Sequence, residues 1–98
     1  MKYPSVQLAF GTRVRELRRN QGLSQEAFAA LANLDRGAFG KIERGEINVG
    51  LISMARIAVA LGMSLSALLD TVELEHDEVR SMPRSLRGPK SLSSGKAL

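Results

Sequence analysis

The stretch SQEAFAALANLDRGAFGKIERG, residues 24–45, restricts what the chain can fold into more than any other part of it. Apolar side chains fall at Phe28, Ala32, Leu34, Phe39 and Ile42, a spacing that puts one stripe on each of two short helices and lets the stripes face each other. Each helix carries its own start signal: Ser24 before the first and Asp35 before the second can accept bonds from otherwise free amides. Neither is followed three residues later by Glu or Gln, so no capping box adds to them. Between the helices, Asn33 tolerates the left-handed backbone that a sharp turn requires, and Gly45 ends the second helix in the same way. Ala29 falls where the helices cross, and a larger side chain there would push them apart.

The flanking segments read as helices too. Val6, Phe10, Val14 and Leu17 recur at helical spacing, which predicts a first helix capped by Ser5 after Pro4, running to about Asn20 and stopped by Gly22. Its other face carries Arg13, Arg15, Glu16 and Arg19, and Arg13 or Arg19 is a candidate neighbour of a nucleic-acid backbone. Gly11 costs this helix about 1 kcal/mol relative to Ala. A fourth helix is expected over Leu51–Leu61, between Gly50 and Gly62. A fifth, capped by Ser64, carries Leu65, Leu68, Leu69 and Val72. The expected fold is therefore all-α: a compact five-helix domain over residues 1–72 with a helix-turn-helix at its centre. Residues 73–98 are acidic through ELEHDE, then rich in Ser, Gly, Pro and scattered cations, and are expected to form a flexible tail. Its cations Arg80, Arg84, Arg87, Lys90 and Lys96 could add nonspecific attraction to DNA.

Ninety-eight residues suit one small core, and the 14 basic against 10 acidic side chains, net +4, favour a polyanionic partner. The absence of Cys excludes a disulfide framework and a thiolate zinc site, which fits a cytoplasmic protein. The start, MKYPSVQLAF, lacks the apolar core of a secretion signal, and the apolar tract from Leu51 to Leu69 is broken by Arg56, Ser and Gly and cannot span a membrane. His76 among Glu73, Glu75, Asp77 and Glu78 is a solvated acidic run rather than a metal site. No nucleophile–base set, phosphate loop or carboxylate pair marks an enzyme, and no cofactor is implied.

Three segments, FGTRVRELRRNQGLSQ, ANLDRGAFGKIERGEIN and MARIAVALGMSLSALL, resemble the phage repressor/Cro class of helix-turn-helix regulators over roughly residues 6 to 70. The run LDR followed by IERG is most similar to the controller proteins of restriction-modification systems. The resemblance implies a transcription regulator that binds operator DNA, and it implies a pairing of Arg18 with Glu43 between the first and third helices. A guanidinium can grip a carboxylate with two bonds and fix one helix against the other. At the start of the second helix, free amides and the positive dipole end suit a phosphate, so Ser24 and Gln25 are expected on the DNA backbone. On the third helix Arg36, in the first turn, is the expected main reader of base edges, followed by Gly37, Ala38 and Lys41; a bidentate Arg–guanine contact discriminates by about 1–3 kcal/mol. Arg44 is expected to clamp a phosphate, and Asn48 either joins it or only stabilises the following turn. Related regulators often carry polar or aromatic residues where this chain has Gly37 and Ala38, so selectivity is expected to draw on fewer contacts or on DNA shape.

Five small helices leave apolar surface that a second copy could cover. A two-fold dimer through Leu65, Leu69 and Val72 is expected, although the same residues could simply complete the core. Dimerisation would set two third helices about 34 Å apart on a partly palindromic site. The alternative is a protein-interaction module of the same fold, used as an antitoxin or a coactivator-like adaptor. Arg36 separates the two readings.

Overall fold

The computed structural model describes residues 3–84, and among these every regular element is a helix. In chain order they are α1 (Ser5–Asn20), α2 (Gln25–Leu31), α3 (Arg36–Glu43), α4 (Leu51–Leu61), α5 (Leu65–Leu68) and α6 (His76–Arg80). The punctuation in the sequence accounts for most of these limits. Ser24, Asp35 and Ser64 stand in extended backbone, and each accepts from the amide three residues on, at 3.0, 2.9 and 3.1 Å. Asn33, with φ of 58°, turns the chain between α2 and α3, and Gly45, with φ of 73°, turns it out of α3.

The facing stripes of α2 and α3 meet at Phe28 and Phe39, whose ring centroids lie 5.1 Å apart with planes tilted by 35°. Ala29 and Ala32 are buried beside them, and Phe10 and Val14 of α1, Ile42 of α3, Ile57 and Ala58 of α4 and Leu68 of α5 complete the core. Helix α1 lies directly on the end of α3. A methyl group at Gly11 would stand 2.5 Å from the carbonyl oxygens of both Ile42 and Glu43, and one at Gly45 would stand 2.7 Å from Leu8 Cα. The glycine that weakens α1 is thus what lets the two helices touch.

Other features depart from what the sequence led one to expect. Pro4 rather than Ser5 holds the cap position of α1, and it supplies no side-chain bond. Ser5 instead donates its amide to both Glu78 carboxylate oxygens, at 3.1 Å each, and its hydroxyl to Oε1. Helix α5 is a single turn closed by Leu69 and does not continue to Val72. Helix α6 is a sixth helix, beyond Val72 in the acidic stretch; its Glu78 finds its partner 73 residues away, which no local periodicity can report. Arg13 is committed to α5: Nε donates to the Leu68 carbonyl at 3.1 Å and Nη2 to that of Ala67 at 2.8 Å, so it caps a helix C-terminus instead of facing a nucleic acid. No helix among the described residues is long and apolar enough to cross a membrane. The tail cations Arg87, Lys90 and Lys96 lie outside the described residues.

Candidate nucleic-acid interface

Helix α3 divides into two sides. Phe39 and Ile42 point into the core, while Arg36, Gly37, Lys41 and Arg44 are exposed and Ala38 is half-buried. The helix is intrinsically weak, since Gly37 and Gly40 each cost about 1 kcal/mol relative to Ala. Burying Phe39 and Ile42 contributes about 1.5–3 kcal/mol apiece, which outweighs that loss and fixes the orientation of the exposed side. At the N-terminal end the Asp35 carboxylate takes the Ala38 amide, so the first turn that carries Arg36 is held closed.

The other end of α3 is fastened by a buried ionic group. Arg18 donates Nε to Glu43 Oε2 at 2.6 Å and Nη2 to Oε1 at 2.9 Å, and its Nη1 reaches the Leu23 carbonyl at 2.8 Å. Gln25 adds its amide to Glu43 Oε1 at 2.9 Å, and Arg15 stands 3.6 Å from the same oxygen. Burial pushes the Glu43 carboxyl up. The bonds from Arg18 and Gln25 and the charges of Arg18 and Arg15 outweigh burial and hold it below the usual carboxylate range. One carboxylate therefore ties α1, the start of α2 and the end of α3 together, which sets the angle at which α3 leaves the body of the protein.

Two of the residues expected on phosphates each place an atom near Gly40. A methyl there would lie 3.2 Å from Arg44 Nη1 and 3.7 Å from Gln25 Oε1, so the missing side chain leaves room for both. Ser24 is occupied as the α2 cap, with its hydroxyl accepting from the Ala27 amide. Asn48 is elsewhere: it is exposed in the loop before α4 and lines an apolar groove with Val6, Phe10, Met54, Leu69 and Val72, of about 350 Å³. Leu65, Leu69 and Val72 are half-buried and pack against the core, with Leu69 and Val72 on the wall of that groove. Larger exposed apolar side chains stand on α4 and the end of α2: Val59, Ile52, Leu51 and Leu31 are 78, 67, 63 and 60% exposed.

Three contacts lie outside those expected from the sequence. Glu46 accepts from Arg44 Nε at 2.9 Å and from Nη2 at 3.3 Å, Gln25 binds Glu43, and Arg15 joins the Arg18–Glu43 pair. Only the first had a local signal, an Arg and a Glu on either side of the turning glycine in ERGE.

The comparison with known families settles the architecture. The family model described as a helix-turn-helix domain matches residues 9–80. The chain belongs to this family. Its match reaches past α5 to the end of α6, so the sixth helix falls inside the shared unit. The control protein C.MunI of a Mycoplasma species is 39% identical over 71 residues, 71% of this chain and 96% of that protein. The control protein C.BamHI of Bacillus amyloliquefaciens is 39% identical over 67 residues, 67% of this chain and 83% of that protein. The immunity repressor of Bacillus phage phi105 is 32% identical over 71 residues, 72% of this chain and 49% of the repressor. Among solved structures, the restriction-modification controller protein C.AhdI from Aeromonas hydrophila superposes with a TM-score of 0.62 at 45% identity, covering 63% of this chain and 94% of that one. The similarity to control proteins and to a phage repressor agrees with the resemblance read from the sequence.

Proposed function

We propose that the protein is a transcription regulator of the controller type, acting in the cytoplasm, which binds operator DNA as a two-fold dimer with α3 in the major groove. The observation that carries this reading is the open cationic side of α3. Arg36 and Lys41 are exposed on it, and the opposite side is anchored through Phe39, Ile42 and Glu43. A rod held by its back and presenting cations outward is what a major groove admits. Arg36 reads a guanine from the first turn, and Lys41 follows one turn along. The start of α2, with Ser24, Gln25 and the adjacent Arg44, takes the phosphates that fix register. Gly37 and Ala38 contribute closeness rather than hydrogen bonds, so selectivity beyond Arg36 and Lys41 rests on DNA shape. A second copy packs along Leu65, Leu69 and Val72 and brings the partner's α3 to the next turn of the groove, about 34 Å away.

Selection from a random duplex pool, followed by titration of the winning sequence, tests this. Arg36→Ala should weaken the selected duplex by about 1–3 kcal/mol, roughly 5- to 150-fold, while changing binding to a scrambled duplex far less. Failure of the pool to enrich, together with an Arg36→Ala variant that binds like the parent, would favour the second reading. That reading, a protein-interaction module, draws on the exposed Leu31, Ile52 and Val59, an apolar face that DNA would leave uncovered.

A further inference from the structure

Arg44 has a resident anion. Gly45, with φ of 73°, turns the chain so that residue 46 comes back under the last turn of α3, where the Glu46 amide donates to the Lys41 carbonyl at 3.0 Å. The Glu46 carboxylate then takes Arg44 Nε at 2.9 Å and Nη2 at 3.3 Å. The Arg44 hydrogen bond, helped by the charges of Arg44 and Lys41, keeps that carboxyl below its usual range against the opposing effect of burial. The third nitrogen, Nη1, lies over Gly40, 3.2 Å from where a methyl there would stand. Glu46 therefore occupies two donors of the Arg44 guanidinium in the bidentate way a phosphate would.

We infer that Glu46 is a specificity-determining residue: it neutralises Arg44 in the free protein and withholds one phosphate contact from nonspecific DNA. The inference rests on α3 being the DNA-reading helix. Nonspecific binding is almost entirely the exchange of counterions for Lys and Arg, so a cation already satisfied by a neighbouring carboxylate contributes little to it. On the operator, Arg36 and Lys41 seat α3 at a fixed depth and bring one phosphate over Gly40. Exchange of carboxylate for phosphate then costs only an exposed ion pair, side chains 50 and 30% exposed, of the kind that adds little to stability. The carboxylate thus weakens wrong complexes more than the right one.

The test measures dissociation constants as a function of salt, on the pool-selected duplex and on a scrambled duplex of equal length, for the parent, Glu46→Gln, Arg44→Gln and the double variant. Glu16→Gln controls for a unit change in net charge, since Glu16 is exposed on α1 in a groove with Thr12 and Thr71. Beyond that control, Glu46→Gln should tighten scrambled DNA by about eightfold at 0.1 M salt and steepen its salt dependence by about 0.9, the slope of one phosphate contact. The selected duplex should tighten by less than half as much, and the gain should vanish in the Arg44→Gln background. A Glu46→Gln variant that matches Glu16→Gln, a gain of equal size on both duplexes, or a gain that survives without Arg44 would overturn the inference. If the parent binds neither duplex, the failure lies with the DNA-binding reading itself; a parent that binds both and an Arg36→Ala variant weakened chiefly on the selected duplex isolate the failure to Glu46.

Discussion

Replacing Arg18 by alanine removes three hydrogen bonds at once, those to Glu43 Oε2, Glu43 Oε1 and the Leu23 carbonyl. What remains around Glu43, whose side chain is 0% exposed, is one bond from Gln25 at 2.9 Å and Arg15 at 3.6 Å, itself 38% exposed. Stranding a buried charge by deleting its partner costs about 3–5 kcal/mol, a large share of the roughly 5–15 kcal/mol that holds a domain folded. Partial cover from Arg15 and Gln25 places the expected loss toward the lower end, about 3 kcal/mol at pH 7. The pH dependence identifies the cause. In the parent the Glu43 carboxyl is held low, so its stabilisation is complete above the unfolded value, about 4.3, and fades as pH falls through the lower folded one. Without Arg18, burial dominates and pushes the carboxyl up. The folded variant then gains from protonation, and the gap between parent and variant narrows in acid. Urea unfolding at pH 7 and near pH 4 measures both effects, and Glu43→Gln in the Arg18→Ala background should recover part of the loss at pH 7. Equal losses at the two pH values, or no recovery from the second substitution, would refute the electrostatic account and leave only a packing role for Arg18.

The remaining stability predictions concern glycines and caps. Gly11→Ala should destabilise by more than about 3 kcal/mol, because the new methyl meets two backbone carbonyl oxygens at 2.5 Å and neither can yield without moving α1 off α3; Gly40→Ala meets only the ends of long side chains, Arg44 at 3.2 Å and Gln25 at 3.7 Å, and should raise the melting temperature through a helix-propensity gain of up to about 1 kcal/mol. A thermal melt of each variant checks the contrast, and an equal effect of the two would show that steric contact does not distinguish them. Asp35→Ala should cost about 1 kcal/mol in chemical unfolding by freeing the Ala38 amide, and Asp35→Asn should cost much less because it can still cap.

Much of this was legible because the signals are local. Phe28, Phe39 and Ile42 announce the facing stripes, Ser24 and Asp35 announce the helix starts, and Asn33 with Gly45 marks the turns; each acts within four residues of the backbone it shapes. Gly11 was legible as a cost with no local benefit, and the benefit turned out to be contact with α3. The parts that escaped are those in which one partner lies far along the chain. Arg13 reads as a surface cation until Ala67 and Leu68 supply carbonyls to it, and Ser5 reads as a cap until Glu78 takes its amide. At the candidate interface, the side chains that point outward followed from helical period, whereas the state of their charges did not. Arg36 and Arg44 are both exposed cations at the two ends of α3, yet Arg44 is bound by Glu46, which position along the helix did not reveal.

That difference bears on how a helix with so few side chains can select a site. Gly37 and Ala38 leave α3 almost bare between Arg36 and Lys41, so hydrogen-bonding capacity on its open side is concentrated in those two cations. With little direct discrimination available, the ratio of specific to nonspecific binding depends strongly on how weak the nonspecific mode is. A rigid mount helps, since the Asp35 cap at one end and the Glu43 network at the other fix the orientation in which α3 presents Arg36. A carboxylate beside Arg44 helps in the opposite sense, by lowering attraction to duplexes that do not seat the helix. Both devices raise selectivity without adding a base contact, which is the route open to a recognition helix built from glycine and alanine.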